Sequence, residues 1–92
     1  PSDALSAALL SDAEAAQLTR DGALLVDVRS AEAYDTGHMD GAVHLSLDAI
    51  RQGEYGDLSA AAPLIIYGAD AADGKAAALS LLAAGYRVEG YL

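Results

Sequence analysis

Ninety-two residues suffice for one small domain, and a hydrophobic content of 53% can supply a core, although much of it is alanine and neither Phe nor Trp occurs. Fourteen acids against five bases leave a net charge of −9, a field that repels phosphate backbones and anionic headgroups and argues against nucleic acid or a membrane surface as partner. The absence of cysteine excludes disulfides and cysteine-ligated zinc, and two isolated histidines, His38 and His44, lack metal-site spacing.

The elements can be taken in chain order. Residues 7–10 read as a short first strand. Ser11 has the character of an N-cap, with Glu14 at capping-box spacing, and opens a helix to about Thr19 in which Ala15, Ala16 and Leu18 are apolar. Asp21-Gly22 marks a turn, and residues 24–28 form an apolar run broken only by Asp27, as in a central strand of a parallel sheet. Ser30 should cap a helical turn through Tyr34 that Gly37 stops. Residues 41–45 read as a short strand, 47–50 as a helical turn and 53–62 mostly as loop. Residues 63–67 are a second apolar strand. Residues 75–84 form the clearest helix, with Ala78, Leu79, Leu82 and Ala83 expected on its inner face and Gly85 as C-cap, and residues 86–92 complete a last strand.

This alternation predicts an α/β fold: a parallel sheet with helices on both faces. No apolar run reaches the roughly 18 to 20 residues of a membrane span, and no charged-then-apolar leader is visible, so a cytoplasmic setting is expected.

Three blocks carry a family resemblance. They are Asp27-Val28-Arg29 at a strand end, Tyr34 followed by Gly37-His38-Met39-Asp40-Gly41-Ala42, and Ile65-Ile66-Tyr67 with the loop after it and Gly85-Tyr86 beyond the next helix. In this order and at these spacings the chain resembles the rhodanese domain, the single-domain sulfurtransferase family, from about Leu24 onward. The resemblance implies a five-stranded parallel sheet in order 1-5-4-2-3 with helices on both sides. It also implies that rhodanese domains continue past Leu92 with a final helix. On that reading residues 1–92 are one domain cut short at its C-terminus, and Pro1 in place of an initiator Met suggests a piece of a longer chain.

The same resemblance places the family's sulfur-carrying cysteine at Gly68, so the loop Gly68, Ala69, Asp70, Ala71, Ala72 and Asp73 has the family's length without its nucleophile. In an active rhodanese such a loop turns its N–H groups inward, and the following helix N-terminus favours the thiolate. The family usually ends this loop with a basic residue, and Asp73 reverses that sign. Asp70 and Asp73 should therefore weaken the binding of an anionic donor, while complementing the helix dipole. As an acid–base pair or Mg²⁺ site, Asp-x-x-Asp with no third ligand is too sparse, and neither metal nor cofactor is expected.

Around this loop, Asp27 reads as a structural carboxylate that accepts hydrogen bonds at the strand edge. Arg29 is expected to pair with Glu32 or Asp35, with guidance of anions toward the loop as the functional alternative. His38 reads as a turn-locking residue. Ala33 and Asp40 stand where the family has an acid and a proline.

The function implied is a catalytically inactive rhodanese-like module that binds or regulates. Two alternatives stay open: a thiosulfate or persulfide sulfurtransferase whose cysteine has been removed, and a structural domain of a larger protein. A protein partner or self-association fits either binding reading. Without the family's last helix, Val26, Ile65 or their neighbours are expected to lie open to water, and either to drive self-pairing or to be covered by a helix from residues beyond these ninety-two.

Overall fold

The computed structural model describes residues 9–38, 41–56, 58 and 61–92. Ser11 opens α1 (Asp12–Arg20) through the expected capping box: its hydroxyl accepts from the Glu14 N–H at 3.1 Å, and the Glu14 carboxylate accepts from the Ser11 N–H at 3.0 Å. Strand β1 (Leu24–Asp27) follows the turn at Asp21-Gly22, and Ser30 caps α2 (Ala31–Thr36), which Gly37 ends. Strand β2 (Val43–His44) leads into α3 (Leu47–Arg51), capped by Ser46. The remaining elements are β3 (Pro63–Tyr67), α4 (Ala71–Ala83) and β4 (Arg87–Tyr91).

All three strand pairings are parallel, in the order β2-β1-β3-β4. The order is the one expected, but among the described residues the sheet has four strands, not five. At the outer edge of β4, Leu9 makes a single parallel bridge with Tyr91, and the Leu10 N–H donates to the Tyr91 carbonyl at 2.8 Å. Extension cannot continue further there, because the next residue, Ser11, already caps α1. Ala7 and Ala8, the rest of the anticipated first strand, lie outside the described residues, as do Met39 and Asp40.

Helices cover both faces of the sheet. Val26, Val28, Leu64 and Ile66 pack against Ile50 of α3 and Ala77, Ala78 and Leu81 of α4. Leu25 and Ile65 turn the other way, toward Ala15 of α1 with Ala23 and Ala42. Two expectations fail here. Val26 and Ile65 are both 0% exposed, so neither forms an open patch: α3 and α4 cover the first, and the α1 layer covers the second. The inner face of α4 is Gly74, Ala77, Ala78 and Leu81, whereas Leu79 and Leu82 are only half-buried and Ala83 is exposed.

The face that α4 does present explains how a chain without Phe or Trp packs densely. Gly74 lies where a β-carbon would come within 3.1 Å of the Leu92 carbonyl oxygen and 3.4 Å of the Tyr91 Cβ. Helix and strand thus approach through backbone at that point. At the other end of α4, Gly85 follows the cap Ala84 with φ +96°, and its N–H donates to the Leu82 carbonyl while Tyr86 N–H donates to Leu81. This is the left-handed termination that glycine favours.

Candidate functional site

Parallel α/β sheets gather functional groups at the carboxyl ends of their strands, and here three strand ends meet in one row. Register pairs Asp27 with Tyr67 on one side and with His44 on the other. Asp27 is fully buried, and such an acid must be both hydrogen-bonded and charge-compensated. Arg29 does both. Its backbone N–H donates to Asp27 Oδ1 at 2.9 Å, its Nε donates to both carboxylate oxygens at 3.1 Å, and its Nη2 donates to Oδ2 at 2.7 Å. Burial pushes the Asp27 carboxyl up. The Arg29 hydrogen bonds, with the charges of Arg29 and His44, outweigh burial and hold it below the ordinary value. Arg29 is correspondingly raised, first by its hydrogen bond to Asp27.

Asp27 thus accepts its hydrogen bonds from Arg29, and Arg29 is not paired with Glu32 or Asp35. Residues i and i+2 at a strand end project to the same side, which brings Asp27 within reach first. The guanidinium also donates from Nη2 to the Gly37 carbonyl at 2.6 Å and lies 4.9 Å from the centre of the Tyr67 ring. With these contacts the side chain is only 18% exposed, so it braces the segment instead of reaching for an anion.

Two histidines extend that brace. His44 Nε2 donates to the Arg29 carbonyl at 2.8 Å, which places its proton on that nitrogen. His38 Nδ1 donates to the Tyr34 carbonyl at 2.9 Å, and its ring stacks on Tyr34 with centroids 3.8 Å apart. The Tyr34 hydroxyl in turn donates to the Ala42 carbonyl at 2.7 Å. Both contacts of His38 are thus made to Tyr34, four residues before it. His44 and Tyr67 received no role from the sequence reading; the signal was their position beside Asp27 once the three strand ends are aligned.

The loop after β3 is shorter than the resemblance implied. Asp70 is the N-cap of α4, its Oδ1 accepting from the Asp73 N–H at 2.9 Å, so Ala71, Ala72 and Asp73 are the helix's first turn and no longer loop. The Asp70 carbonyl accepts from the Gly74 N–H at 3.1 Å. What remains as loop is Gly68, Ala69 and Asp70, and Gly68 itself is buried. A β-carbon at residue 68 would lie 2.8 Å from the Gly74 backbone nitrogen, 3.1 Å from the Asp70 carbonyl oxygen and 3.2 Å from the Asp73 Cβ. The turn has closed over the place where a side chain would stand. Among the described residues no cluster of three or more His, Asp or Glu could hold a metal ion.

A four-stranded parallel sheet with this strand–turn–helix and a buried Asp-x-Arg at the neighbouring strand end defines an α/β domain of the rhodanese type. The profile of the Rhodanese-like domain matches residues 11–91, and the chain belongs to that family. A rhodanese homolog from the extremely thermophilic bacterium Thermus thermophilus is 31% identical, with a TM-score of 0.75 over 90% of this chain and 91% of that one. A rhodanese-related protein from Thermoplasma volcanium shares 14% identity at a TM-score of 0.78, covering 90% of this chain and 81% of its own. The reduced CoADR-RHD protein of Bacillus anthracis reaches a TM-score of 0.79 at 22% identity over 92% of this chain, which spans only 15% of that longer protein. Among curated proteins, none matches the chain.

Proposed function

We propose that this chain is a non-catalytic member of the rhodanese-like family that serves as a binding or regulatory module. The observation that carries this reading is the closed turn at Gly68. Persulfide transfer needs a thiolate, and the chain has no cysteine. More tellingly, the backbone leaves no volume for a side chain at the position where the resemblance puts the nucleophile. Removal of a cysteine would account for the missing thiol, but not for the two acids that follow it in the turn. Here Asp70 and Asp73 have instead drawn the loop into the helix cap, where their charge opposes an anionic donor. A cytoplasmic setting belongs to this reading, and it rests on the sequence alone.

Assay of thiosulfate:cyanide sulfurtransferase activity tests it. The protein is expected to produce no thiocyanate above a blank, and Gly68→Cys to add little, because the new side chain must displace the first turn of α4 and faces two carboxylates. Combining it with Asp73→Arg should do measurably better than the single change. Reproducible turnover by the unaltered chain would overturn the proposal, and full activity of Gly68→Cys alone would show that the closed turn opens freely.

A further inference from the structure

Strand β2 forms one edge of the sheet. The Leu45 N–H donates inward to the Asp27 carbonyl at 3.0 Å, and amides alternate in direction along a strand, so the N–H and C=O of His44 point away from β1. Among the described residues no hydrogen bond reaches either group. The opposite edge differs, since β4 already receives Leu9 and Leu10. On β2 the Tyr34 hydroxyl takes the outward Ala42 carbonyl at 2.7 Å, which leaves His44 as the open place. Beside it lies a cavity of about 320 Å³, walled by Leu24, Val43, Leu45, Tyr55 and Leu58 and bordered by His44. The His44 ring turns to the other face, where Nε2 reaches the Arg29 carbonyl, so it is the His44 backbone that borders the cavity. The space exists because β1 starts at Leu24 whereas β2 starts only opposite Val26, and no β2 residue stands beside Leu24.

An open edge next to an apolar cavity is the arrangement by which a sheet takes up one more strand: main-chain hydrogen bonds hold the strand, and alternate side chains select it. Val43 and Leu45 project to the face of the cavity, so a strand laid beside His44 presents every second side chain there. A small apolar molecule would fill the cavity but leave the His44 N–H and C=O to water. Charge narrows the occupant further. Residues 52–58 carry Glu54 and Asp57 and no base, and the whole chain has a net charge of −9, which favours a basic segment and opposes a second copy. We infer that the β2 edge docks an extended, basic peptide segment of a partner protein, which pairs with the His44 backbone and seats one large apolar side chain among Leu24, Leu45 and Tyr55. β1 separates this edge from β3 and the Gly68 turn, so the inference stands whether or not that turn is catalytic.

A pool of capped heptapeptides tests it, with Lys at both ends and Thr, Val, Leu, Ile or Tyr at each position between, titrated into the isotope-labelled chain and followed by amide resonances. The open edge is short, so a dissociation constant of about 1 mM is expected, with the His44 amide among those that move and the β4 amides fixed. The tightest peptides are then N-methylated at alternate residues, in two complementary sets. One set should weaken binding by roughly tenfold or more and the other should leave it nearly unchanged, because only one set of amides can face β2. Methylation leaves the protein untouched, so this result does not depend on any variant folding. A pool that leaves the His44 amide unmoved overturns the inference. Binding that neither set impairs does so too, since the cavity would then take apolar groups without a strand. Movement of the His44 amide with protein concentration alone would assign the edge to a second copy and overturn it equally.

Discussion

Asp27 has no access to water, so the stability of its neighbourhood depends on Arg29 remaining beside it. Removing one partner of a buried pair costs more than the pair contributes, because the other charge is left in a medium that cannot solvate it. Arg29→Met keeps the length of the side chain and removes the charge, and it should lower unfolding free energy at neutral pH by about 3 kcal/mol. The sign of the pH dependence follows from Asp27. In the parent its folded value lies below the ordinary 3.8, so its stabilising contribution is complete above that value and disappears as pH falls through the lower folded one. In the variant the buried acid loses its compensation, and its protonation on acidification relieves the strain. The deficit of Arg29→Met should therefore be largest near neutrality and shrink toward about pH 4. Urea titrations at several pH values would reveal this, and a deficit independent of pH would show that the guanidinium acts through packing alone.

Individual elements were legible to the degree that local chemistry alone decides them. The capping box at Ser11 and Glu14, the limits of β3 and the glycine after α4 each follow from a few adjacent residues. The start of α4 did not, because the resemblance implied a six-residue loop where Asp70 and Asp73 spell a local N-cap, and the helix begins at Ala71 instead of Lys75. Its buried face was illegible for another reason: apolar residues surround nearly the whole helix, and only the sheet beneath selects Gly74, Ala77, Ala78 and Leu81. Gly74 is the point at which that selection is tightest. Gly74→Val should gain in helix propensity over glycine by a few tenths of a kcal/mol, yet its branched side chain meets the Leu92 carbonyl and Tyr91 Cβ. Overpacking against backbone should prevail and destabilise the fold by about 1 to 3 kcal/mol. Thermal unfolding with Lys75→Ala as a neighbouring exposed control separates the two effects: a Gly74→Val melt at or above the parent's would mean that α4 is free to lift from β4.

At the scale of the whole molecule, charge works against compactness. Fourteen acids and five bases share one small surface, and the pairing of Asp27 with Arg29 removes only a single acid from that surface. Self-repulsion of this kind destabilises the compact state, since unfolding moves like charges apart. Added salt shortens the reach of each charge from about 30 Å at 0.01 M to about 8 Å at 0.15 M, which is less than the span of the sheet. The pair with most to lose by screening is the one least exposed to it, because Arg29 Nη2 and Asp27 Oδ2 stand 2.7 Å apart out of contact with bulk water on the acid's side. Net repulsion should therefore dominate the response, and stability should rise with ionic strength by about 1 kcal/mol, or roughly 4 to 8 °C in Tm for a chain of this length. The melts belong at a low protein concentration, so that salt acts on folding and not on association. Sodium chloride serves better than sulfate, whose exclusion from protein surfaces would raise Tm by itself. A Tm that stays flat or falls across that range would mean that local attractions already balance the acidic surface despite its net charge of −9.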